Sequence, residues 1–252
     1  MTDLPASVAN VVEVLGDLPG CVAVVLGGSR AIGVTGTTSD WDLGLYYRRR
    51  IDLAALAAMG TVHPPGSWGR LMNGGAWLRC GGERVDVLLR DLDVVEYWSR
   101  RAEAGEFEND ALLGYIAGIP TYTLAAELAL GKPLRGEIPS VQFPPALALS
   151  APPRWRFSRS FSVAYARMHA RRGDIVGATG QTAKAVIEEA HAILCERKQW
   201  ICNEKRLIET AGLSDVQTLF GKVPDTPAAL LEWVDLVAGR LGVSANENVL
   251  GV

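Results

Sequence analysis

Val8, Val11, Val12 and Leu15 recur at helical spacing, which predicts a helix from Asp3 to Asp17 that Pro19-Gly20 then stops. Cys21 to Leu26 (CVAVVL) is a short β-branched run that suits a buried strand, and Gly27-Gly28 ends it in a turn. Ser39 to Tyr47 alternates with the period of a strand: Asp40, Asp42 and Gly44 fall on one face, Trp41, Leu43 and Leu45 on the other. A short helix is expected over Asp52 to Met59. Gly75 to Cys80 and Glu83 to Leu89 flank Gly81-Gly82, the turn dipeptide of a β-hairpin, and Asp91 to Ala104 returns to helix. From Ala111 the pattern becomes helical segments broken by turns. Gly131 to Pro153 is proline-rich and reads as a linker or wrapped connection. Beyond it, Arg154 to Arg172, Asp174 to Trp200, Asn203 to Ala211 and Pro227 to Leu241 read as a helical bundle. The fold class expected is therefore α+β: a mixed α/β half over 1–140, then an all-helical half over 141–252.

Charge and composition narrow the partners. The formal net charge is −3, so no overall positive field exists to hold a nucleic acid by counterion release. No stretch has the unbroken apolar length of a membrane span, and MTDLPASVANVVEVLGDLPG lacks the basic start and apolar block of a signal peptide, so a cytoplasmic protein is expected. Cys21, Cys80, Cys195 and Cys202 form no CxxC pair and meet only three histidines, which leaves zinc-ligand spacing absent and suits buried, reduced thiols.

The chemistry concentrates in GGSRAIGVTGTTSDWDLGLYY, Gly27 to Tyr47. A glycine-serine turn after a strand presents backbone N–H groups and a hydroxyl to phosphate oxygens. On a strand, Asp40 and Asp42 point to the same side about 6.5–7 Å apart along the backbone, close enough to converge on a cation. A divalent metal relieves their repulsion, and hard Mg2+ takes a few carboxylates together with substrate phosphates. Asp86 interrupts the apolar run of its strand, where a carboxylate must reach solvent or a metal.

Gly28-Ser29, a spacer, Asp40-Trp41-Asp42 and a later strand acid at Asp86 together resemble the nucleotidyltransferase superfamily of the DNA polymerase beta type. The helical half resembles, in architecture, the branch acting on small molecules such as aminoglycosides. The resemblance implies a nucleotidyltransferase core followed by a helical domain. It also implies that Gly28 and Ser29 hold the β and γ phosphates of ATP or another NTP, and that Asp40, Asp42 and Asp86 ligate Mg2+. Asp86 would accept the acceptor hydroxyl's proton, with Glu188 the alternative base. Relatives supply a cation to the triphosphate from the helical half; Lys184, Lys205 and Arg206 are candidates here, with Lys184 first, and Arg30 is another.

The polar stripe Gln181, Lys184, Glu188 and His191 on an otherwise apolar helix suits either a cleft or a solvated face. Trp155, Arg156, Phe157, Tyr165, Arg167 and His169 suit either an acceptor pocket or core packing. GGSRAIG also resembles the cofactor turn of short-chain dehydrogenases, but VTGTT follows it instead of a long helix, and no Tyr-x-x-x-Lys occurs. The expectation is AMP transfer from ATP to a hydroxyl of a small molecule such as an aminoglycoside-like antibiotic. Two alternatives stay open: an antitoxin-like enzyme that modifies a protein partner, and a non-catalytic nucleotide-binding module. The acceptor and the oligomeric state are not legible.

Overall fold

Residues 4–33 and 40–244 are described by the computed structural model of the chain. Helix α1 (Ala6–Gly16) precedes strand β1 (Cys21–Leu26), the single turn α2 (Gly28–Ala31) and β2 (Trp41–Tyr47). A 3-10 turn at Ala54–Leu56 leads to β3 (Gly60–His63), α3 (Gly69–Met72) and the hairpin of β4 (Gly75–Cys80) and β5 (Glu83–Asp91). There follow α4 (Leu92–Glu103), the two-residue strands β6 (Asn109–Asp110) and β7 (Ile119–Pro120), α5 (Thr123–Leu130) and β8 (Lys132–Gly136). The rest is helical: α6 (Pro145–Arg171), α7 (Ile175–Glu196), α8 (Leu207–Ala211), α9 (Ser214–Leu219) and α10 (Pro227–Arg240). The architecture is α+β, and contacts divide it into two compact units that exchange segments: Met1–Ala102 with Thr121–Gln142, and Glu103–Pro120 with Phe143–Val252.

In the first unit a six-stranded mixed sheet runs in the order β3-β4-β5-β2-β1-β8. Its two central strands, β2 and β5, pair in parallel, and the other pairings are antiparallel. Alternation decides which face is dry. Leu43 and Leu45 of β2 and Val85, Val87 and Leu89 of β5 join Val8, Val11, Val12 and Leu15 of α1 in one buried cluster, each fully buried apolar side chain contributing roughly 1.5–3 kcal/mol. The intervening residues, Asp42 and Gly44 on β2 and Asp86 on β5, are held on the opposite face. Further along that face Arg90 is buried, forks onto Glu127 of α5 (Nη2 to Oε1, 2.7 Å) and donates to the Met72 carbonyl at 3.0 Å. This ion pair ties β5 to α3 and α5.

Two expectations change. The proline-rich stretch from Gly131 is not a linker throughout: β8 adds to the sheet beside β1, and α6 already begins at Pro145. Pro133 is tolerated because β8 is an edge strand, where a missing N–H breaks no outer ladder, and Pro145 stands at the helix start, where its fixed φ is an advantage. The short helix of 52–59 shrinks to a 3-10 turn. β3 and α3 had no periodic signal long enough to mark them.

The second unit is built on α6 and α7, with α10 packed on both. Val163, Ala166 and Ala170 of α6, Ala178, Ala185 and Val186 of α7, and Leu230, Trp233, Val234 and Val237 of α10 share one apolar cluster.

Candidate active site

β2 and β5 place their acids side by side. Their parallel register pairs Asp42 with Asp86, so the two carboxylates leave the same face of the sheet from adjacent strands, whose spacing is about 4.8 Å. Both residues are half-buried. Two like charges at this separation repel, and the arrangement persists most cheaply with a cation between them.

The turn after β1 closes on the same point. The Gly27 N–H donates to the Asp42 carbonyl at 2.8 Å, which continues the β1–β2 ladder by one more rung. Gly28 follows with φ +60°, and a Cβ there would fall 1.8 Å from Asp42 Oδ2. Glycine is required twice over: for the left-handed backbone and for room beside the carboxylate. Ser29 stands next, half-buried in α2.

Asp40 lies just before β2 and takes a different partner. Its carboxylate sits 3.1 Å from Arg84 Nε, while its carbonyl accepts from Arg30 Nε at 3.2 Å. The Arg30 guanidinium lies 4.0 Å over the Trp41 ring, whose Nε1 donates to Glu83 at 3.0 Å. The structure thus brings together Gly28, Asp42 and Asp86 and binds Asp40 to Arg84. Among the described residues no three His, Cys, Asp or Glu side chains gather as a metal-binding group. Two oxygen-donor carboxylates beside a Cβ-free turn still fit a hard cation such as Mg2+, which takes one or two carboxylates and fills its shell with water and substrate phosphates.

One residue of this face carries no sequence expectation. Trp77 of β4 is the register partner of Asp86 in the antiparallel hairpin and therefore shares its face. It is 53 % exposed, whereas Ala76 and Leu78 beside it are buried. The signal was present in the two-residue turn Gly81-Gly82, which fixes the pairing of the hairpin, and in the position of Trp77 on its polar parity.

Lys184 and Lys205 belong to the helical unit. The Lys184 ammonium pairs with Glu188 and donates to Ser162 Oγ at 3.3 Å; the Lys205 N–H donates to Asn203 Oδ1 at 2.9 Å in an exposed turn. Arg206 forks onto Glu209. Glu188 is buried and also accepts from Ser162 at 2.7 Å; burial pushes its carboxyl up, against the opposing pull of Lys184. Burial holds His191 far below the usual imidazole range, at about 3, and its ring stacks 4.5 Å from Trp155. The aromatic and basic candidates of α6 separate: Trp155 is core, Arg156 binds Glu189 and Glu196, Arg167 binds Asp235 at 2.8 Å and His169 binds Asp174 at 2.7 Å. Phe157, Phe161 and Tyr165 lie exposed along one stripe. Among the described residues no helix is long and apolar enough to cross a membrane.

No family model matches the sequence, and no curated protein does. Among solved structures, the chain is similar to a nucleotidyltransferase-like protein from Exiguobacterium sibiricum at 14 % identity and a TM-score of 0.44, over 94 % of this chain and 73 % of that one. It is also similar to an aminoglycoside 6-adenyltransferase from Bacillus subtilis at 8 % identity and a TM-score of 0.28, over 97 % of this chain and 94 % of that one. Both likenesses are distant, and the chemistry of the site rests on its own geometry.

Proposed function

We propose that the chain is an Mg2+-dependent nucleotidyltransferase that moves a nucleoside monophosphate, AMP from ATP in the first instance, onto a hydroxyl of a small molecule such as an aminoglycoside-like antibiotic. The observation that supports it is the parallel pairing of Asp42 with Asp86 beside a glycine whose Cβ would strike the Asp42 carboxylate. Mg2+, when bound at these two carboxylates, supplies charge neutralisation to the triphosphate. The chain's own groups do the rest. Gly28 and Ser29 bind the β and γ phosphates through backbone N–H and hydroxyl, and Asp86 takes the proton of the attacking hydroxyl. A bond forms from the acceptor oxygen to the α-phosphorus, the bond from that phosphorus to the β-bridging oxygen breaks, and pyrophosphate leaves with the electron pair. Positioning and electrostatics provide most of the acceleration.

Asp40 is the third proposed ligand of the cation; its solvent-accessible carboxylate lies beside Arg84 and can turn from that ion pair to the metal. The assignment of Lys184 and Lys205 to the polyphosphate rests on the family resemblance alone, and Lys184 is meanwhile bound within its own unit. The test is transfer of label from α-labelled ATP, with Mg2+, to a panel of aminoglycosides, lincosamides and candidate proteins. Wild-type chain should transfer to a small molecule and Asp42→Ala should not; transfer that survives this substitution refutes the mechanism. Binding of ATP without transfer to anything would favour a nucleotide-binding module.

A further inference from the structure

The sheet carries an ordered row. Reading across four neighbouring strands on one face, the structure places the Gly27-Gly28 turn after β1, then Asp42 on β2, Asp86 on β5 and Trp77 on β4. Three strand spacings separate the ends, about 14–15 Å. In an in-line displacement the leaving and attacking oxygens stand on opposite sides of the phosphorus. If pyrophosphate departs toward the glycine turn, the acceptor must approach from the other end of the row. That end is Trp77.

We infer that Trp77 is the acceptor platform of this site: the indole face on which a ring-bearing acceptor stacks while its hydroxyl reaches Asp86. This rests on the nucleotidyltransferase reading and adds a specificity residue to it. Trp77 is 53 % exposed, on a hairpin position where the alternating neighbours are buried. It is also held. His63 meets it edge-on with centroids 4.3 Å apart, and Trp68 stacks at 5.7 Å. Trp68 in turn occupies the space over Gly75, where a Cβ would fall 2.5 Å from its ring. A ring fixed in this way loses little side-chain entropy when a ligand stacks on it. The chemistry it recognises is a hydroxyl-bearing ring with one apolar face, the C–H face of a sugar or cyclitol or the π face of an aromatic ring.

The test is calorimetric titration of the full chain with the Mg2+ complex of α,β-methylene-ATP, then of that complex with kanamycin, streptomycin and lincomycin, repeated on Trp77→Phe and Trp77→Leu. Wild type should bind the nucleotide and at least one ring compound. Trp77→Leu should weaken the ring compound about ten-fold, the scale of one stacking contact on an aromatic platform, while Trp77→Phe stays within about three-fold and neither changes the nucleotide's affinity. Unchanged ring-compound affinity in Trp77→Leu overturns the inference and spares the enzyme reading, as does failure of all three compounds to bind the wild-type complex. A loss of nucleotide affinity in Trp77→Leu also overturns it, by giving the indole to the nucleobase. Failure of wild type to bind the nucleotide overturns both. A change in the sedimentation of free Trp77→Leu would make this face a contact between copies, and it too overturns the inference.

Discussion

Gly28→Ala tests the site at one atom. The new Cβ would stand 1.8 Å from Asp42 Oδ2 and 2.7 Å from its Cγ, with the backbone at φ +60°. The left-handed conformation costs an alanine about 1–2 kcal/mol. The clash itself adds little to stability, because a carboxylate at the end of a side chain can swing away. Gly33→Ala is the matched control: its φ is +74° and, among the described residues, nothing lies within 4 Å of its Cβ. Both variants should therefore lose about 1–2 kcal/mol, a fall in Tm of roughly 3–8 °C by thermal denaturation. Transfer should separate them. On the proposed mechanism, moving the Asp42 carboxylate by an ångström or more displaces the cation and phosphate it is to align, a change that costs on the order of 100-fold in rate. Gly33→Ala should stay close to wild type in the label-transfer assay. If Gly28→Ala transfers within about three-fold of Gly33→Ala, the turn does not hold Asp42 for catalysis and the reasoning fails.

Other contacts give further expected outcomes. Asp86→Asn removes one of the carboxylates proposed to hold the cation, so in urea denaturation it should lose the stabilisation that Mg2+ gives the wild type; equal Mg2+ shifts in both proteins would contradict the site. Glu127→Ala leaves the buried Arg90 guanidinium without its carboxylate and should cost about 3–5 kcal/mol by the same measurement; a loss under about 1 kcal/mol would make the pair dispensable. His191 is held neutral down to about 3, below its ordinary value of 6.5. Its contribution is therefore complete above the unfolded pKa and declines as pH falls, because the unfolded chain takes up a proton that the folded chain refuses. Between pH 7.5 and 5 the helical unit should lose about 2 kcal/mol from this group. His191→Phe keeps a ring against Trp155 and should remove that part of the pH dependence; an unchanged slope would assign it elsewhere.

Much of the site was legible because strand periodicity is strict. Alternation alone puts Asp42 opposite Leu43, and it also separates Asp86 from Val85 and Val87, so both acids had to leave the apolar face. What it could not supply was the partner of each strand. That β2 lies parallel to β5, and not beside β4, follows from a crossover whose register depends on the whole sheet. Asp40 shows the same limit at shorter range: its spacing from Asp42 is right for a shared cation, while its ion pair with Arg84, on a strand far away in sequence, cannot be read from that spacing. The spacer at 34–39 and Ser39 lie outside the described residues. Elsewhere proline misled. In Lys132–Gly136 it stands on an edge strand, and in α6 Pro152 and Pro153 lie inside a helix of 27 residues, where packing of a long helical face outweighs the lost backbone bonds. Trp77 escapes notice in the sequence because an aromatic within a hairpin reads as core until its parity is matched against Asp86.

The exchange of segments between the units also sets an order of synthesis. The strands that carry the site are complete once Asp91 has left the ribosome, yet the sheet edge beside β1 stays open until Gly136 has followed. The stretch of 103–120 waits longer still. Its β6–β7 pairing is local, but its Ile116 and Ala117 N–H groups donate to the Glu204 carboxylate at 2.7 and 2.8 Å, an anchor that is missing until that glutamate is made. The nascent chain thus finishes its central strands first and closes its second unit last, with the crossing segment held in suspense between the two events.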